Sequence, residues 1–115
     1  MEPIQDEIPG LVIQTVRQPE NQAATIQQQF AEFHQLNPWV LTALEELTSD
    51  YVARGAERVG IGMLFEVLRW RYLQATAGSD EFHLNNNFRS RYFRLLIERH
   101  PEWASKFEVR ALRTD

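Results

Sequence analysis

The chain contains no cysteine. That excludes disulfides and every thiolate-based zinc site. Lysine is almost missing as well: Lys106 stands alone, and the other eleven of the twelve basic residues are Arg. Arg pairs bidentately with carboxylate or phosphate and stacks on aromatic rings, so the basic chemistry here is of that kind. No apolar run approaches the roughly 20 residues a membrane-spanning helix needs, so no membrane association is expected. The opening "MEPIQDEIPG" lacks the basic-then-apolar order of a signal peptide, and a cytoplasmic location is expected. Nor is there a phosphate loop, since Gly60-Ile61-Gly62 is too short and has no following Lys.

Apolar material is plentiful. Hydrophobic residues make up 43% of the 115 positions, including seven Phe, three Tyr and three Trp. This suits one compact domain with a real core. Charge is divided unevenly. Residues 1–53 carry one basic residue, Arg17, against eight acidic ones, whereas residues 54–115 carry eleven against eight. The whole chain is at −4, but its second half is cationic. Such a half can meet phosphates or pair with the acidic half of its own chain.

The periodicity predicts a mainly α protein: a single small domain of four to five helices over residues 21–115, preceded by a flexible tail over 1–20. Three of the five prolines lie in that tail, although "LVIQTV" at 11–16 is β-prone. A first helix is expected over 21–36, with Ile26, Phe30 and Phe33 on its apolar stripe and glutamines opposite. Asn37-Pro38 is a cap followed by a first-turn proline, starting a second helix that stops near Gly55. A third helix spans about 62–75. Its inner stripe is Ile61, Leu64, Phe65, Leu68 and Tyr72, and a second stripe, Met63, Val67 and Trp70, faces elsewhere. A fourth covers about 87–99, and Pro101 opens a short last one. A short two-stranded element between 82–84 and 107–111 is a further expectation. The helix order is loosely winged-helix-like, though about ten residues separate helices three and four where a tight helix-turn-helix has three or four. The expected core is Ile26, Phe30, Phe33, Leu44, Leu47, Leu64, Phe65, Leu68, Tyr72, Phe88, Tyr92, Leu95 and Leu96.

The most pointed stretch is "HLNNNFRSRYFRLL". On a helix, Phe88, Tyr92, Leu95 and Leu96 fall on one side, which leaves an exposed strip of Ser90, Arg91, Arg94 and Glu98. Asn86 or Asn87 is expected to cap the helix start. The bland reading is a capped core helix with charged edges. The sharper one is a nucleic-acid surface of Asn85, Asn86, Asn87, Arg89, Arg91 and Arg94, widened by Arg69, Arg71, Arg110 and Arg113. Helix starts attract phosphate, and Asn and Arg read base edges.

The runs "GAERVGIGMLFEVLRW" and "FHLNNNFRSRYFRLLIERHPEWASKFEVRALR", with "FHQLNPWV" upstream, resemble a set of small uncharacterised proteins encoded by bacteriophages and prophages. The similarity covers about residues 30–113. It implies a small accessory protein in a phage or mobile-element setting. It transfers no catalytic residue.

No enzyme chemistry, cofactor or metal is expected. His34, His83 and His100 lie far apart in sequence, and Glu45, Glu46 and Asp50 read as solvated carboxylates. Asp80 and Glu81 beside His83 form the one mixed cluster, in a loop. Three non-enzymatic roles follow: nucleic-acid binding through the Arg/Asn surface; a protein-binding inhibitor or adaptor acting on host defence or transcription machinery through Met63, Val67 and Trp70; and a homodimer through Trp70.

Overall fold

The computed structural model describes residues 11–19, 24–76 and 84–107. The described residues are mainly helical. Four α-helices form in order: α1 (Ile26–Leu36), α2 (Pro38–Ala53), α3 (Ile61–Ala75) and α4 (Arg89–Arg99). A 3₁₀ turn, Asn86–Phe88, leads into α4, and a 3₁₀ segment, Pro101–Lys106, follows it.

Helix α1 starts at Ile26, later than the expected residue 21, because Thr25 supplies a capping box. Gln28 N–H donates to Thr25 Oγ1 at 3.1 Å, and Thr25 N–H donates to Gln28 Oε1 at 3.0 Å. Two otherwise orphaned donors are met there, which fixes the boundary. Residues 21–23 lie outside the described residues. Helix α2 stops just short of Gly55, the one described glycine at positive φ (95°). Gly55 N–H donates to Val52 O and Ala56 N–H to Tyr51 O, both at 3.0 Å, the paired bonds of a Schellman motif.

Asn37 departs from the expected cap. Its side chain makes no capping bond. Pro38 has no N–H to cap, and the Asn37 carbonyl accepts from Val40 N–H at 3.1 Å. The fully buried amide turns instead to the segment 11–19. Arg17 N–H donates to Asn37 Oδ1 at 2.8 Å, and Asn37 Nδ2 donates to Arg17 O at 2.7 Å and Phe33 O at 3.0 Å. Residues 11–19, assigned to the tail on sequence, are therefore docked. Val16 is buried, and its N–H donates to the Tyr72 hydroxyl at 3.3 Å.

The core is aromatic. Phe30 meets Tyr92 and Phe88 edge-on at 4.9 and 5.5 Å, Phe33 tilts onto Phe88 at 5.4 Å, and Phe65 reaches Tyr92 at 6.0 Å. These contacts join α1, α3 and α4 at one point. Edge-to-face pairs of this kind add about 0.5–1.5 kcal/mol each beyond area burial. Of the expected core, Ile26 and Leu95 are only partly buried, while Trp39, Val40, Val59, Ile61, Leu84, Trp103 and Phe107 join it.

The expected two-stranded element differs. Phe107 pairs with Val59 in a single parallel bridge, with Val59 N–H donating to Lys106 O at 2.7 Å. Leu84 is buried without strand pairing, and residues 82, 83 and 108–111 lie outside the described residues. Among the described residues no strand forms that would act as a wing. No described helix is long and apolar enough to cross a membrane.

Candidate functional site

Phe88 organises the Asn/Arg stretch. Its ring is buried against Phe30 and Phe33, which sends the side chains on either side of it outward. Burying such a ring contributes about 1.5–3 kcal/mol, enough to hold the turn in one place. The cap is Asn85 rather than Asn86 or Asn87: its Oδ1 accepts from Asn87 N–H at 2.8 Å. The three asparagines are exposed. Asn85 comes first because a 3₁₀ turn, absent from the expected helix, precedes α4.

Arg69 turns inward. It pairs with Glu66, and its Nη2 donates to Leu84 O at 2.6 Å and Asn86 Oδ1 at 2.7 Å. Its guanidinium also lies over the Phe65 ring at 5.9 Å. Arg69 thus straps α3 to the asparagine turn, a positioning part and not the open surface group expected of it. Arg89 lies across Gly62, where a β-carbon would come 3.3 Å from its Nη1. Its Nε donates to Asn86 O at 3.1 Å. Arg91 donates from Nε to Gln27 Oε1 at 2.9 Å and from Nη1 to Asn87 O at 3.4 Å. Gln27 belongs to the polar face of α1, and no local signal in the sequence joins it to Arg91.

The electrostatics of this ridge are one-sided. The acceptors that meet Arg89 and Arg91 are neutral amides and carbonyls, and neither meets a carboxylate among the described residues. The first turn of α4 holds no acidic residue. Two cations near a helix N-terminus oppose the macrodipole, at a cost of about 0.3–1 kcal/mol each. Arg94 is exposed one turn further on. Ser90, expected on the exposed strip, is buried instead. Arg110 and Arg113 lie outside the described residues.

Beside the ridge, α3 presents Trp70, Met63 and Leu73, which are 61%, 43% and 40% exposed. Val67, expected in this stripe, is partly buried against the core, and Leu73 takes its place at the surface. Arg71 is half-buried next to Trp70 and meets no carboxylate among the described residues.

A second charged cluster lies at the far end of α4. Glu45, expected to be solvated, is mostly buried. It pairs with Arg99 and accepts from His100 Nε2 at 3.0 Å. His100 Nδ1 stands 3.6 Å from Glu102, and its ring stacks on Trp103 at 4.0 Å. This cluster ties α2 to the chain after α4. His34 stacks on Phe30, and burial, then the Arg99 charge, holds its imidazole below the usual range. Burial pushes the Tyr92 hydroxyl up. No group of three His, Asp or Glu that could hold a metal forms among the described residues, and the cluster at Asp80, Glu81 and His83 lies outside them.

Fold and site together define a small α-helical domain with a cationic, amide-rich ridge beside an exposed aromatic. No protein-family model, curated protein or solved structure matches the chain.

Proposed function

We propose that the protein is a non-enzymatic accessory protein that binds nucleic acid through the ridge formed by Asn85, Asn86, Asn87, Arg89 and Arg91. The observation that carries this reading is that, among the described residues, Arg89 and Arg91 bond to neutral acceptors and meet no carboxylate. Their charges stay uncompensated at a helix start that already favours anions, and a phosphate there relieves both. The neighbouring amides supply donors and acceptors for sugar or base edges. The phage or prophage setting belongs to the same proposal and rests on the motif resemblance.

The test is fluorescence anisotropy with labelled DNA and RNA at low salt. Replacing Arg89 and Arg91 by Ala should weaken binding and reduce the slope of log K against log salt by about 0.7–0.9 for each phosphate no longer neutralised. Absence of binding to either nucleic acid at low salt would overturn the reading.

A second reading, a protein-binding inhibitor or adaptor acting on host machinery, rests on exposed Met63, Trp70 and Leu73. A pull-down from host lysate separates the two: nuclease treatment removes co-purifying partners under the first and leaves them under the second.

A further inference from the structure

We infer that the nucleic acid recognised is single-stranded, with Trp70 as the platform on which an unpaired base stacks. The inference rests on the nucleic-acid reading above and adds the class of substrate. Of the three tryptophans, Trp39 and Trp103 are buried, and Trp70 alone is 61% exposed. An indole 61% exposed on a packed helix offers aromatic surface to solvent. Such a surface gains from a base only if that base is free of its complement, because duplex bases show edges rather than faces.

The charges around Trp70 select this occupant over an apolar one. Arg71 follows it in sequence, and Arg89 lies against Gly62 on the flank of the same helix. Neither meets a carboxylate among the described residues. Glu66 is the one acid on this side of α3, and it is engaged by Arg69. An exposed aromatic on a helix that also carries Arg71 and lies against Arg89, neither paired with a carboxylate among the described residues, matches a strand that offers bases and phosphates alternately. Met63 and Leu73 extend the apolar floor on either side of the indole. The strap from Arg69 to Leu84 O and Asn86 Oδ1 holds the asparagine turn at a set place beside that floor.

The experiment uses the full chain and one mixed-sequence DNA oligonucleotide, offered single-stranded and annealed to its complement. Binding is read by anisotropy and by intrinsic tryptophan emission. The single strand is expected to bind more tightly than the duplex and to quench the Trp70 emission. Trp70→Ala should weaken single-strand binding on the order of 10- to 100-fold. Because Trp70 is exposed, this variant should melt close to the parent, and its melting curve checks that. Equal binding of duplex and single strand, or unchanged affinity in Trp70→Ala, overturns the single-strand inference while leaving the nucleic-acid reading in place. Binding of neither form overturns both. Concentration-dependent dimerisation abolished by Trp70→Ala, with no quenching by the oligonucleotide, overturns the inference in favour of a second copy of the chain.

Discussion

Removing the Asn37 side chain tests whether one buried amide docks the N-terminal segment. Asn37→Ala deletes three hydrogen bonds, to Arg17 N–H, Arg17 O and Phe33 O. Each such bond contributes about 1 kcal/mol net. The three do not weigh equally. Phe33 O keeps the Asn37 backbone N–H at 2.8 Å, so it stays satisfied. Arg17 is exposed, so its freed backbone groups regain water. The expected loss is therefore about 2–3 kcal/mol, without the added penalty of orphaned partners. For a domain of this size that lowers the melting temperature by about 8–12 °C. Asn37→Asp should cost more at neutral pH. It keeps the acceptor for Arg17 N–H but turns a buried carboxylate toward two carbonyl oxygens. Urea unfolding gives the stabilities, and amide exchange at Val16 and Arg17 reports docking directly. A melting temperature for Asn37→Ala within about 1 °C of the parent, with Arg17 exchange unchanged, refutes the reasoning.

Two further outcomes follow from the fold. Gly55→Ala should destabilise by about 1–2 kcal/mol, because an L-residue at positive φ is strained. No atom approaches the added β-carbon within 4 Å, so the loss is backbone strain alone, and urea unfolding with an unchanged m-value checks this. For His34 the folded imidazole titrates below its unfolded value, so the unfolded chain binds the extra proton. Its contribution is fully present above about pH 6.5 and is lost as pH falls from there toward the folded pKa. His34→Gln should flatten the stability profile below that pH, and parallel thermal melts from about pH 7.5 to 5 read the difference.

Some of this protein is legible in its sequence alone. Apolar residues recurring every three or four positions place the four helices, since helix geometry turns that spacing into one buried face. Gly55 and Pro101 mark boundaries because their backbone preferences are local. The Asn/Arg stretch stands out for the same reason: charge and amides beside aromatics are visible without a fold. The roles within that stretch are not local. Whether Arg69 reaches Leu84 O, whether Arg91 meets Gln27 across 64 positions of chain, and whether Glu45 closes on Arg99 depend on which helices lie side by side. Asn37 shows the limit most plainly. Its type and its place before proline mark a cap, but packing brings Arg17 within reach, and the amide bonds there instead. Periodicity determined the helices; the distances between them, set by how the aromatic core packs, decided which charges are used internally and which stay uncompensated at the surface.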